Sequence, residues 1–144
     1  MITQTATTSF TTELFQGIHD FSTDVFKLAL YDATADLGEN TTAYTAAGEI
    51  SGAGYITGGV TLTGVVVSSG SGVSYVDFAD ATWNPAVFTV RGGLIYNSSK
   101  SNRSVAVLDF GADKTATTFF TVQMPPATAT TALIRINKGA YNVS

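Results

Sequence analysis

A chain of 144 residues is long enough for one hydrophobic core, and folding at this length buries roughly two thirds of the surface an extended chain exposes. Only 12% of the residues are charged against 44% hydrophobic, the net charge is −4, and the few Lys and Arg are dispersed, so no basic stripe exists to neutralise phosphates. There is no Cys, which removes disulfides and thiolate metal sites, and the apolar runs at residues 64–67 and 105–108 fall far short of the roughly 18 residues a membrane span needs.

These limits set the first expectations: no nucleic acid partner, no membrane partner, no cofactor. The start, Met1-Ile-Thr-Gln, lacks the basic and apolar regions of a signal peptide, so synthesis in a cytoplasm is expected. Polar positions are filled by Thr, Ser, Asn and Gly, as at residues 5–12, 41–45 and 115–121. Threonine there favours strands and an uncharged contact surface that is cheap to desolvate.

Residues 1–9 read as an extended N-terminal arm and residues 10–144 as a single β domain. Helical periodicity occurs over residues 9–18, where Phe10, Leu14 and Ile18 recur every four residues behind a Ser/Thr-rich start. From Val25 to Tyr31 the period falls to two, with Phe26, Leu28 and Leu30 on one face of a first strand. Residues 32–59 carry many Gly and Asn and little alternation, which predicts a long excursion with one helical turn near residues 42–46; loops of this length commonly carry contacts.

Residues 60–67 and 73–78 read as two strands of a hairpin joined by the small residues 68–72. Trp83 and residues 87–90 continue the β pattern, and Gly92-Gly93 predicts a bulge or bend before residues 94–96. A polar connection, residues 97–103, leads to a strand at 105–110, and strands at 119–124 and 132–136 complete the set. Short strands separated by turns at this spacing predict an all-β fold, an antiparallel β-sandwich with a barrel as the alternative, plus one short N-terminal helix.

Catalytic patterns are sparse. His19 beside Asp20 is the one histidine, and no nucleophile motif accompanies it, so a capping or helix-dipole role outweighs that of a general base. Asp32, Asp36 and Glu39 share a loop that calcium would suit, but their spacing is not that of an EF-hand, and a solvated acidic loop is the better reading. Gly52-Ala-Gly54 and Gly58-Gly59 lack the strand, helix and Lys of a phosphate loop. Asp77, Asp80 and Asp109 could pair for glycoside hydrolysis, yet such aspartates beside turns are common in β proteins. No catalytic residue is expected.

Among the aromatics Tyr31, Tyr44, Tyr55, Tyr75 and Trp83, core packing is favoured for Trp83 and Tyr75. Tyr44 and Tyr55, in the glycine-rich excursion, are better placed for contact between subunits. With Ile50, Ile56, Phe10 and Leu14 they form the set of candidate partner-binding residues.

The blocks Phe26-Lys-Leu-Ala-Leu-Tyr31, residues 41–55 with 58–62, Phe78-Ala-Asp-Ala-Thr-Trp83, Arg91-Gly-Gly-Leu-Ile-Tyr96 and Val107-Leu-Asp-Phe-Gly111 resemble a family of small virion structural proteins of tailed bacteriophages. The resemblance runs from about Phe15 to Ile136 and brings no catalytic residues with it. It implies a virion component made in a host bacterial cytoplasm. A low-charge, Thr-rich β domain with an arm suits a decoration or cement protein that binds the major capsid protein as a homo-oligomer, expected as a trimer. A tail, collar or fibre component is the alternative.

Overall fold

The computed structural model describes residues 1–137. Its one helix, α1 (Thr8–Phe15), starts where Thr7 takes the N-cap position: the Thr7 hydroxyl accepts from the Phe10 backbone N–H at 3.3 Å. The helix ends sooner than periodicity predicts, because Gly17 turns into positive φ (68°) and sends Ile18 and His19 off the helix axis. Phe10 and Glu13 lie on its buried face.

The expected N-terminal arm is laid down on its own chain. Ile2 bridges Leu37, β1 (Thr5–Ala6) pairs with the edge of β8 (Arg103–Ala116), and the Met1 amino group donates to the Ala35 carbonyl at 3.1 Å. The physical reason is twofold: Ile2 loses its water contact, and an otherwise open sheet edge gains backbone partners.

The chain forms an antiparallel β-sandwich, as its alternation and turns predict. A five-stranded sheet has the order β1, β8, β7 (Phe88–Asn97), β2 (Phe26–Tyr31), β3 (Val60–Thr61). A three-stranded sheet has the order β10 (Ile134–Asn137), β5 (Val73–Asp77), β4 (Val66–Gly70), and β6 (Ala81–Trp83) pairs with β9 (Phe120–Val122). Side chains from all three sheets and α1 meet in one core, among them Phe10, Leu28, Leu30, Phe78, Trp83, Phe88, Val90, Ile95 and Val122. Trp83 is buried there as expected, whereas Tyr75 is only half-buried and joins no core cluster.

The opposite face of the five-stranded sheet is also covered. Ala29, Tyr31, Leu94, Tyr96 and Val107 pack under Ile2, Ala35 and Leu37. The excursion 32–59 is therefore a second layer over β2 and β7, and burial on both faces makes these strands nearly continuous in apolar residues. Residues 42–46 form no helical turn; Tyr44 N–H donates to the Asn102 carbonyl and Ser104 N–H to that of Thr42, an extended pairing onto the start of β8.

A bulge occurs at the predicted glycines. The β7–β8 register shifts between Val90 and Gly92, so even-numbered Phe88 and Val90 and odd-numbered Ile95 all face the main core. The predicted strand 60–67 is instead two strands in two sheets. Val60 and Thr61 pair with β2, and the chain crosses at Gly64 (φ 62°) so that Val66 onward pairs with β5. The hairpin then closes tightly over Ser71 (φ 53°) and Gly72 (φ 80°), two consecutive positive-φ residues of the kind that match strand twist.

Candidate functional site

Of the six residues expected to bind partners, five are used inside the fold. Phe10 and Ile50 are buried, Leu14 packs against the core, and only Ile56 stands out, 78% exposed. Tyr44 and Tyr55 reach inward. Both hydroxyls donate to the Glu49 carboxylate, Tyr44 to Oε1 and Tyr55 to Oε2, at 2.5 Å each, and Gly58 N–H donates to Oε2 at 2.8 Å. Tyr31 donates to the Thr45 carbonyl and Tyr96 to that of Gly58, both at 2.6 Å. The tyrosines therefore clasp the excursion to the sheet. Burial and the neighbouring Glu49 carboxylate push the Tyr44 and Tyr55 phenols well above the usual range.

The excursion lies so close that side chains are excluded at particular points. A Cβ on Gly59 (φ 83°) would overlap the Leu28 carbonyl, and one on Gly54 (φ 87°) the Pro85 carbonyl. These glycines serve close backbone approach.

His19 is closed at both ring nitrogens. Its side chain is fully buried, Nε2 lies 2.8 Å from Glu13 Oε1, and Nδ1 lies 3.0 Å from Asn97 Nδ2. Asn97 Nδ2 also donates to Asp24 Oδ2 at 2.8 Å while its Oδ1 accepts from Ser99 N–H. The amide nitrogen thus faces Nδ1, so that nitrogen is the acceptor and the proton sits on Nε2, donated to Glu13. Arg103 and Lys100 close the two ends of this chain of contacts, at 2.7 Å to Glu13 Oε2 and 2.8 Å to Asp24 Oδ1. Burial alone would raise the Glu13 and Asp24 carboxyls; bonds from His19 and Arg103, and from Lys100 and Asn97, outweigh it and hold both below the ordinary range. The polar chain pins the 19–24 segment and α1 to the β7–β8 turn.

The other acids are separately engaged. Asp32 bonds Thr34 in its own turn, Asp36 lies 3.7 Å from the Met1 amino group, and no group of three His, Asp or Glu close enough to hold a metal occurs among the described residues. Asp80 accepts from Met124 N–H at 2.7 Å, and Asp109 accepts from Gly111 N–H at 2.9 Å on the other sheet. Asp77 is buried; its Oδ1 accepts from Phe78 N–H at 2.8 Å, whereas Oδ2 has no partner in hydrogen-bond geometry.

What remains open is the β4–β5 hairpin. Val65, Val66 and Val67 are 37%, 40% and 64% exposed, and the outer edge of β4 has no pairing strand among the described residues. One face of the hairpin forms an apolar groove of about 130 Å³ against α1, lined by Phe10, Leu14, Phe21, Val67, Val76, Ile134 and Ile136. No charged residue occurs from Ile50 to Val76. Phe10 and Leu14 do reach a candidate surface, as floor and wall of this groove. Sequence reading missed Val66 and Val67 because they look like the end of one longer strand, 60–67; the signal was the small Gly64 ahead of a triple valine. No known protein-family model, curated protein or solved structure matches the chain.

Proposed function

We propose that this chain is a structural protein of a bacteriophage virion, a capsid decoration protein that self-associates and binds the head shell. The observation that carries the reading is the apolar β4–β5 hairpin beside the α1 groove, whose exposed residues carry no charge and whose β4 edge has no pairing strand among the described residues. A surface without charges is cheap to desolvate against another protein, and many modest contacts repeated over a symmetric shell add up to firm attachment. The sequence blocks that resemble small virion proteins of tailed phages support the same setting. The role asks for no catalytic group, and the partners are copies of the chain and the major capsid protein.

The second reading, a tail, collar or fibre component, draws on Ile56, an isoleucine 78% exposed near the end of the clasped excursion. Antibody labelling of purified virions separates the two. Label over the shell is the expected result; label confined to the neck or tail reverses the order, and unlabelled particles remove both.

A further inference from the structure

We propose that two copies of the chain join through antiparallel pairing of β4 with β4 across a two-fold axis, which merges their three-stranded sheets into one continuous sheet. The inference rests on the self-association proposed above and specifies its contact.

Three observations lead to it. First, an exposed edge strand is a template for another strand unless something blocks it, and natural edges are blocked by Lys, Pro, bulges or a covering segment. The five residues of β4, Val66-Val-Ser-Ser-Gly70, contain none of these, and the register with β5 is unbroken. The other long sheet shows the contrast, since its β8 edge is covered by β1.

Second, charge selects the occupant. The chain carries 11 acidic and 7 basic residues, so two copies share a net charge of −4 and repel overall. The 27 residues from Ile50 to Val76 are free of charge, and within this segment the hairpin presents apolar side chains beside an edge that has no pairing strand among the described residues.

Third, the strand is self-complementary. With the two-fold axis at Ser68, Val66 lies opposite the partner's Gly70 and Val67 opposite the partner's Ser69, so bulky residues meet small ones. Val67, the most exposed valine of the strand at 64%, lies on the groove face. Pairing covers it and joins the two α1 grooves end to end. A two-fold contact of this kind differs from the trimer that the low-charge surface and N-terminal arm suggest from sequence, which needs a head-to-tail surface.

The test uses the full chain in analytical ultracentrifugation, with wild type beside Val67→Lys and Val67→Thr. Val67 is mostly exposed, so the circular dichroism spectrum should hold in both variants, and the thermal midpoint of Val67→Lys should fall only by the stability that association lent. The expected result is a wild-type dimer, a dissociation constant raised about 100-fold or more by Lys, and little change with Thr. Because the chain has no Cys, a single Ser68→Cys should oxidise to a covalent dimer, while Ser51→Cys, exposed on the excursion, should not. If Val67→Lys associates as wild type does, the β4 contact falls and self-association stands. A wild type that stays monomeric yet binds phage shells also removes the β4 contact while leaving the virion reading in place.

Discussion

The Tyr55 hydroxyl donates to Glu49 Oε2 at 2.5 Å and, from the other side, accepts from the Leu30 backbone N–H at 3.0 Å. One phenol thus connects the excursion to a central strand, and the same carboxylate holds Tyr44 and Gly58 N–H.

Replacing Glu49 by Ala therefore strands two phenols and one amide. Hydrogen bonds to a charged acceptor are worth more than neutral ones, and groups left unpaired cost their desolvation, so a loss of about 2–4 kcal/mol is expected in urea unfolding. Glu49→Gln keeps one acceptor oxygen and should lose about half as much. An Ala variant as stable as wild type would mean that the clasp carries no net stability.

The Glu13 and Asp24 carboxyls, held low by their partners, set the acid limb of the stability curve. A depressed folded pKa contributes stability that is complete above the unfolded value and disappears as pH falls through the folded one. Glu13→Gln should cost about 1–3 kcal/mol near neutrality, and the difference from wild type should shrink on acidification below the ordinary carboxylate range. Thermal unfolding across that range reads the slope.

Asp77 has the opposite sign. Burial raises its carboxyl, only partly offset by the Phe78 backbone amide. A raised folded pKa in an acid means no cost while both states are protonated, and a cost that grows as pH climbs through the folded value. Carboxyl NMR titration should place Asp77 above the ordinary aspartate range and Asp24 below it. Asp77→Asn should gain on wild type as pH rises toward neutrality; a pH-independent difference would refute the assignment.

Two positive-φ glycines separate conformational strain from collision. Gly17→Ala (φ 68°, open space around it) should cost about 1 kcal/mol. Gly59→Ala would drive a methyl into the Leu28 carbonyl and should cost more than about 3 kcal/mol, or yield no folded protein. Equal effects would mean that the excursion can lift away from β2.

Much of this architecture is legible in local pattern. Phe26, Leu28 and Leu30 alternate into the core, Phe10 and Leu14 mark the helix face, and the paired glycines at 92 and 93 sit at the bulge. The failures involve distant partners. Nothing near Val60 to Val67 announces that neighbouring residues belong to different sheets, because the divider is the conformation of Gly64 packed against Ala79. Nothing near Met1 to Ala6 announces an edge a hundred residues later. Tyr44 and Tyr55 were expected to face a partner since a glycine-rich loop looks unsupported; the clue was Glu49, a single carboxylate five and six residues from two phenols in a segment otherwise poor in charge.

The seating of β1 on β8 also orders events in time. Thr5 pairs with Val107, and Asp109 N–H donates to the Gln4 side chain across 105 residues, so β1 has no place to pair until β8, about a hundred residues later, has been made. Until then Ile2 is solvated and the β8 edge does not exist. Such long-range closure makes folding slow relative to helical proteins of this size, and the nascent chain spends that interval with Ile2 and an uncharged valine strand both unsatisfied. Synthesis at lower temperature or slower rate should therefore raise the soluble yield of this chain more than it raises that of a helical protein of equal length.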